Sequence, residues 1–216
     1  MSEQPGLQFV DVAIRLAGRP LLALDRTVAP GKTLTVMGPS GSGKSSLLAF
    51  IGGFLDSAFE AEGDVRLDGR DLSSLAPEQR SVGLLFQDAL LFPHMSVGAN
   101  LLFGLSPRIR GRARRREAAM VMLAEVDLPG LFDRDPATLS GGQQARVALA
   151  RTLLAEPRAL LLDEPFSRLD AALRASMRDL VFGLVEARKI PAVLVTHDRE
   201  DAEAAGGPIV EVGGTA

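Results

Sequence analysis

The chain has 216 residues, 46% of them apolar, and this length supports one substantial hydrophobic core or one core with a small satellite. The lack of cysteine excludes disulfides and thiolate chemistry, and a net charge of -3 argues against a nucleic-acid binder with a broad basic face. No apolar run reaches the roughly 18 to 20 residues that span a bilayer, and residues 1–10 lack a signal-peptide pattern, so we expect a cytoplasmic location.

The first third of the chain predicts β-strands separated by short turns. Apolar runs typical of strands cover Leu7–Val12, Leu22–Val28, Leu34–Met37, Asp64–Leu67 and Val82–Phe86. Pro30-Gly31 and Asp68-Gly69 are typical turn pairs. This pattern predicts a sheet-rich entry to the glycine-rich loop that follows the third run.

That loop, GPSGSGKS, matches the complete phosphate-binding pattern G-x-x-x-x-G-K-S between a strand and a helix that continues through Ile51. Its glycines let successive backbone amides face an anion, Lys44 adds a cation for the outer phosphates, and the Ser45 hydroxyl can coordinate magnesium. An ordinary Gly/Ser turn is the alternative, and the flanking strand and helix argue against it. The predicted nucleotide-binding residues are Gly38, Pro39, Ser40, Gly41, Ser42, Gly43, Lys44, Ser45 and Ser46.

From Ala89 to about Leu154 the apolar spacing becomes helical, and a second short motif, LSGGQ at Leu139–Gln143, opens one of the helices. Ser140 and Gln143 have the spacing of a capping box. Gly141 and Gly142 are not explained by capping, because glycine costs up to about 1 kcal/mol in a helix. Bare amides at a helix N-terminus favour an anion, most often phosphate.

An arginine-rich run precedes the predicted helix Arg115–Val126. A solvated loop and helix face explains such a run, and a contact with anionic lipid or an acidic partner loop is the alternative. The run consists of Arg108, Arg110, Arg112, Arg114, Arg115 and Arg116.

Strand–helix alternation then resumes, and polar side chains follow the strands. Asp163 and Glu164 come directly after the buried strand Ala159–Leu162, at the edge where open α/β sheets bind ligands. We predict that Asp163 holds magnesium through water and that Glu164 orients and deprotonates an attacking water; a solvent-exposed acidic turn is the alternative. His197, after the strand Ala192–Val195, is expected at the same edge, in contact with the γ-phosphate or the attacking water, and a structural histidine is the alternative.

Two polar residues remain. Gln87, at the end of its strand, could contact both magnesium and the attacking water, or could be a plain polar strand end. His94 is expected to be a surface loop residue.

Taken together, these motifs and their order resemble the ATP-binding subunit of an ATP-binding cassette transporter over essentially the whole chain. The matching segments are Gly38–Ser45, Gln87, Leu139–Gln143, Leu160–Pro165, Ser167–Asp170 and His197. The segment Leu91–Leu105 is similar to that of bacterial importers for small solutes and ions. The resemblance implies an α/β phosphate-loop ATPase core at 1–87 and 155–216, with an antiparallel β subdomain, and a helical subdomain at 88–154.

The resemblance also implies ATP and Mg²⁺ as cofactors and a head-to-tail homodimer with two nucleotides at its interface. Ser140, Gly141, Gly142 and Gln143 would contact the γ-phosphate of ATP bound to the partner, and Asp170 would link the two sites. Membrane permease subunits, a solute-binding protein and a peripheral position on the inner face of the cell membrane follow, with no nucleic-acid partner. A DNA-repair or translation ATPase of the same superfamily and a non-hydrolysing regulatory subunit are the alternatives.

One feature departs from the family. Its members usually carry an aromatic that stacks on adenine about 20 or more residues before the phosphate loop, where this chain has Leu16-Ala17-Gly18 and where Tyr and Trp are absent throughout. Phe9 has the wrong spacing to compensate. We therefore expect weaker nucleotide binding and poorer discrimination between bases.

Overall fold

The computed structural model describes residues 5–213, which form two β-sheets and a set of helices. The strands are β1 Leu7–Leu16, β2 Arg19–Val28, β3 Thr33–Met37, β4 Phe59–Leu67, β5 Arg70–Asp71, β6 Val82–Leu85, β7 Ala159–Asp163, β8 Ala192–Thr196 and β9 Ile209–Glu211. The α-helices are α1 Lys44–Gly52, α2 Val97–Gly104, α3 Arg112–Glu125, α4 Gly141–Leu154, α5 Ala171–Ala187 and α6 Arg199–Ala204.

The described residues divide into two compact units. The first contains the chain up to Leu84, Arg158–Glu164 and the residues from Phe182 onward, and the second contains Leu85–Pro157 and Pro165–Val181. The first unit holds nearly all of the strands, and the second is mainly helical. The predicted combination of an antiparallel sheet, a mostly parallel sheet and helices is confirmed.

The larger sheet of the first unit has the strand order β6-β7-β8-β3-β9, and β3 pairs in parallel with both β8 and β9. Its central strands read as continuous apolar runs, because a parallel sheet is covered on both faces. Residues 160–162 and 192–195 are all buried. The loops after β3, β7 and β8 therefore leave the same edge of the sheet, where α/β folds bind ligands.

The smaller sheet, in the order β2-β1-β4-β5, is antiparallel. Its strands β1, β2 and β4 are longer than the predicted runs, because the pairing continues through a mixture of buried apolar residues such as Ile14 and exposed polar residues such as Glu60 and Glu62. Phe9 is buried in the core with an exposed fraction of 1%, which excludes it as a base-stacking residue.

A buried arginine fixes the far end of α1, the helix that the phosphate loop opens. The Arg80 guanidinium donates hydrogen bonds to the carbonyl oxygens of Phe50 and Ile51 at 2.8 and 2.9 Å, and to that of Leu75 at 2.9 Å. Burial lowers the pKa of this guanidinium from its ordinary value. The last carbonyls of α1 thus have a cation as their partner, which suits the negative end of the helix dipole.

In the second unit, α2, α3 and α4 pack together. The helix α3 begins at Arg112, so the prediction of a helix from Arg115 was wrong by one turn and four of the six clustered arginines lie within it. Arg115 donates to the carbonyl oxygen of Leu102 at 2.8 Å, and Arg116 pairs with Asp133 at 3.1 Å while its guanidinium stacks on Phe132. Part of the basic run therefore makes contacts within the second unit while remaining partly exposed.

Length and hydropathy rule out a bilayer-spanning helix anywhere in residues 5–213. The helices and strands that the sequence pattern did not predict are short. They are α2, α6, β5 and β9, none of which exceeds eight residues.

Candidate nucleotide-binding site

The phosphate loop joins β3 to α1, and its lysine is folded into the loop. The Lys44 ammonium donates to the carbonyl oxygens of Gly38 and Pro39, both at 2.8 Å, and the residue is 6% exposed. The N-cap of α1, Gly43, has a φ of +90° and offers no side-chain cap. The first amides of α1 are thus free of side-chain acceptors, and a cation stands beside them, which suits an anion.

Two glycines of the loop are required by close packing. A Cβ on Gly38 would lie 2.3 Å from the carbonyl oxygen of Val212, and a Cβ on Gly43 would lie 3.0 Å from the side-chain Cβ of Leu21. The positive φ of Gly43 also favours glycine. The loop is therefore held between the segment after β9 on one side and β2 on the other.

Asp163 ends β7 beside the loop. Its carboxylate accepts a hydrogen bond from the Ser45 hydroxyl at 3.2 Å. Burial raises the pKa of the Asp163 carboxyl, as does the charge of Glu164, whereas the Ser45 hydrogen bond and Lys44 act in the opposite direction. A carboxylate and a hydroxyl this close are hard oxygen donors, and Mg²⁺ prefers one or two such protein ligands together with water and phosphate oxygens.

The next residue, Glu164, pairs with the histidine after β8. One Glu164 carboxylate oxygen lies 3.1 Å from Nδ1 of His197, and His197 is largely exposed. The backbone of Glu164 has a φ of +45°, an unusual conformation for a residue with a long side chain, and its amide donates to the Val195 carbonyl oxygen at 2.9 Å. The predicted meeting of these two side chains at one sheet edge is therefore observed.

An open pocket of about 330 Å³ lies over the phosphate loop, within the usual range of about 300–1,000 Å³ for small-molecule sites. Residues of the phosphate loop and the start of α1, together with Glu164, form its polar part, and three apolar side chains form the rest. The lining residues are Leu16, Leu21, Ser40, Gly41, Gly43, Lys44, Ser45, Ser46, Phe59 and Glu164.

The LSGGQ motif lies in the second unit, at the start of α4. Ser140 caps the helix, accepting a hydrogen bond from the Gln143 amide at 3.3 Å, and the Gln143 side chain accepts from the Ser140 amide at 3.0 Å. The predicted capping box is confirmed. A Cβ on Gly141 would meet no atom within 4 Å, and one on Gly142 would meet Leu173 at 3.2 Å. Packing inside the unit therefore does not explain Gly141.

The other predicted residues of the second unit are Gln87 and Asp170. Gln87 is exposed, two residues beyond the end of β6. Asp170 precedes α5, and its carboxylate accepts a hydrogen bond from the Leu173 amide at 3.0 Å, so it caps that helix. The loop residues, Asp163, Glu164 and His197 belong to the first unit.

A family model described as ABC transporter matches residues 21–167. The chain belongs to the ABC transporter family. An uncharacterized ABC transporter ATP-binding protein of Escherichia coli, YnjD, is 51% identical over 90% of this chain and 89% of its own length. The thiamine import ATP-binding protein ThiQ of Cereibacter sphaeroides is 48% identical over 84% of this chain and 77% of its own length.

Among solved structures, a dimeric structure of MJ0796, a bacterial ABC transporter cassette, matches with a TM-score of 0.77. The two chains are 30% identical, and the match covers 95% of this chain and 94% of the other. The fold is accordingly that of an ABC cassette. This cassette is an ATP-binding ATPase of the transporter type, and the resemblance inferred from its motifs is confirmed.

Sequence reasoning missed the apolar side of the pocket over the loop of this cassette. Leu21 and Phe59 are far apart in sequence and carry no motif, and strand pairing brings them to the site. Leu21 lies out of phase with the buried alternation of Leu22 and Leu24, and Phe59 belongs to no apolar run, so no pattern marked either residue.

Proposed function

We propose that this cassette is the ATP-hydrolysing subunit that powers the import of a small solute or ion through an ABC transporter. The observation that carries the proposal is the Glu164–His197 pair, 3.1 Å apart, at the same sheet edge as the phosphate loop. The similarity to a thiamine import protein supports the direction of transport.

The phosphate loop binds the triphosphate. Backbone amides from Gly41 to Ser46 face the phosphates, and Lys44 exchanges its carbonyl partners for phosphate oxygens, which are stronger acceptors for an ammonium. Ser45 and Asp163 would hold Mg²⁺. When bound, the ion neutralises charge on the phosphate oxygens during phosphoryl transfer.

Glu164 is the general base. Its carboxylate accepts the proton of the attacking water, and His197 fixes the orientation of that carboxylate through the contact at 3.1 Å and reaches the γ-phosphate. Burial and the charge of Glu164 raise the pKa of neighbouring Asp163, so a cation held at the Asp163 carboxylate would favour its ionised form.

A second copy of the chain completes each site. Ser140, Gly141, Gly142 and Gln143 of one protomer contact the γ-phosphate held by the other, and the open space around Gly141 supports a close approach to its backbone. Asp170 links the two sites. Because the γ-phosphate bridges the halves, ATP favours the closed homodimer and hydrolysis favours its opening.

The segment after Gln87 docks the membrane permease. It exposes large apolar side chains, with Leu90 57% and Phe103 67% exposed. Arg151 of α4 donates to the carbonyl oxygens of Ala89 and Leu90 at 3.2 and 2.9 Å, which ties this surface to the LSGGQ helix. The cassette would sit on the cytoplasmic face of the membrane and drive a permease whose cargo is delivered by a solute-binding protein.

Glu164→Gln tests the assignment of the base. We expect ATP hydrolysis to fall by about 10² to 10⁴ while ATP-dependent pairing persists, because the amide keeps the shape but cannot accept the proton. Glu186→Gln, at an exposed carboxylate paired with Lys32, is the matched control. Turnover retained in Glu164→Gln would contradict the assigned base.

Crosslinking from residues 87–105 tests the transport role. We expect these residues to capture a cytoplasmic segment of a membrane permease in cells. Duplex DNA that stimulates turnover with a steep salt dependence, and no membrane partner, would instead favour a DNA-repair ATPase.

A further inference from the structure

The pocket over the phosphate loop has two chemically different sides. Loop residues and Glu164 form the polar side, where the triphosphate binds in the proposed function. The other side consists of Leu16, Leu21 and Phe59, which carry no side-chain hydrogen-bonding group. A nucleotide has the same division, since its phosphates are charged and its base has an apolar face.

Phe59 reaches this side through strand pairing. It is the first residue of β4 and lies directly opposite Leu16, the last residue of β1. Opposite residues of antiparallel strands point to the same face, with Cβ atoms about 5 Å apart. Phe59 is half-buried and packs on the core cluster, so the core supports one part of the ring while another part lines the pocket.

Leu21 connects this apolar side to the loop. It approaches so closely that a Cβ on Gly43 would lie 3.0 Å from its own Cβ. The apolar side therefore begins immediately beside the loop amides and ends at Phe59. The tight turn between β1 and β2, at Ala17-Gly18, contributes no aromatic side chain.

We propose that Phe59 is the aromatic surface on which the nucleotide base stacks in this cassette, with Leu16 and Leu21 packing around it. The proposal rests on the proposed function, because it takes ATP as the ligand of the loop. Phe59 is the aromatic residue among the described residues that line the pocket. Strand β4 thus supplies the stacking group that the β1–β2 turn lacks.

Stacking of this kind contacts the face of a base and leaves its hydrogen-bonding edges without a partner among these side chains. The three apolar side chains offer no donor or acceptor that could distinguish adenine from guanine. ATP and GTP should therefore bind with dissociation constants that differ by only a few-fold, and both should depend on Phe59.

The experiment compares two ligands, ATP and inorganic tripolyphosphate, on the full chain with Mg²⁺. Phe59→Ala should weaken ATP binding by about 5- to 150-fold, the range expected for one lost stacking contact. Tripolyphosphate, which has no base, should bind Phe59→Ala and the unaltered chain equally. Phe59→Tyr should bind ATP as the unaltered chain does, and Phe59→Leu, which keeps apolar bulk and should fold, should lose part of the affinity.

Phe54→Ala is the matched control, because Phe54 is 51% exposed and does not line the pocket. Equal weakening of ATP and tripolyphosphate in both Phe59→Ala and Phe59→Leu would overturn the proposal, since it would indicate damage to the loop. Unchanged ATP binding in Phe59→Ala would also overturn it. Failure of the proposed function would be seen separately, as an unaltered chain that binds ATP through Phe59 but does not hydrolyse it.

Discussion

Two helix N-termini of this cassette are assigned to phosphate in the proposed function, and they are built in opposite ways. The helix α1 begins at a left-handed glycine, Gly43, without a side-chain cap, and Lys44 donates to the carbonyl oxygens of the preceding loop. The helix α4 is closed by a reciprocal capping box between Ser140 and Gln143. The first amides of α1 have no side-chain acceptor and can bind a ligand. In α4, the capping box pairs some of the first amides, and the glycine backbone beside them carries no side chain.

In the proposed function, the α1 terminus binds the nucleotide of its own protomer, whereas the α4 terminus contacts the nucleotide held by the partner. Nucleotide binding to α1 relies on a charged lysine and a loop fixed by packing against Leu21 and Val212. The α4 terminus has open space around Gly141, and in the proposed function it meets phosphate held by a second protomer. Substitutions at the two termini should therefore have different signatures in binding, pairing and stability.

The largest effect is expected at the α1 terminus. Lys44→Met removes the cation beside the outer phosphates, so turnover should fall by about 10² to 10³ and ATP affinity should fall with it. Steady-state hydrolysis and equilibrium binding measure the two quantities. Lys32→Met, at an exposed lysine that pairs weakly with Glu186, serves as the control and should leave both unchanged. A Lys44→Met protein with normal turnover would refute the role of this loop.

Glycine substitutions sharpen the contrast. Gly43→Ala should lower the free energy of unfolding by about 1–2 kcal/mol, because its φ is +90° and its Cβ would press on Leu21. Gly141→Ala should keep or raise it, by up to about 1 kcal/mol, since neither backbone conformation nor packing opposes the methyl group. ATP-dependent pairing and turnover should nevertheless fall about tenfold or more in Gly141→Ala, because the methyl group blocks the approach of phosphate.

Gly183→Ala is the matched control for that experiment. Gly183 lies within α5 and also has no neighbour within 4 Å of an added Cβ, so alanine should stabilise the protein without changing turnover. Denaturant unfolding and sedimentation with ATP provide the measurements. If Gly141→Ala behaves like Gly183→Ala in both, α4 does not meet a phosphate.

The smallest effect concerns the capping box alone. Ser140→Ala removes the oxygen that accepts from the Gln143 amide, which should cost about 1 kcal/mol of stability. Ser140→Thr retains a hydroxyl and should restore most of it, as thermal unfolding would show. Equal stability of the serine and alanine proteins would mean that the box contributes nothing to the helix.

Much of this contrast could be predicted from the sequence, because it depends on local spacing. The phosphate loop, the capping box and the carboxylates at the end of β7 are each contiguous or nearly so, and their chemistry follows from residue type. Phe59 could not be predicted, since its place depends on the register of β4 against β1, which a few exposed polar residues do not specify. The internal bonds of Arg115 and Arg116 likewise depend on tertiary partners.

The unusual backbone of Glu164 has a consequence for anyone who selects this cassette for heat resistance. A left-handed residue with a long side chain is strained by about 1–3 kcal/mol, and here its charge also lies beside half-buried Asp163. Random mutagenesis screened by survival at high temperature alone would therefore enrich glycine or asparagine at position 164. Such a screen would raise thermal stability and lose ATP hydrolysis, so every round also needs a test of activity.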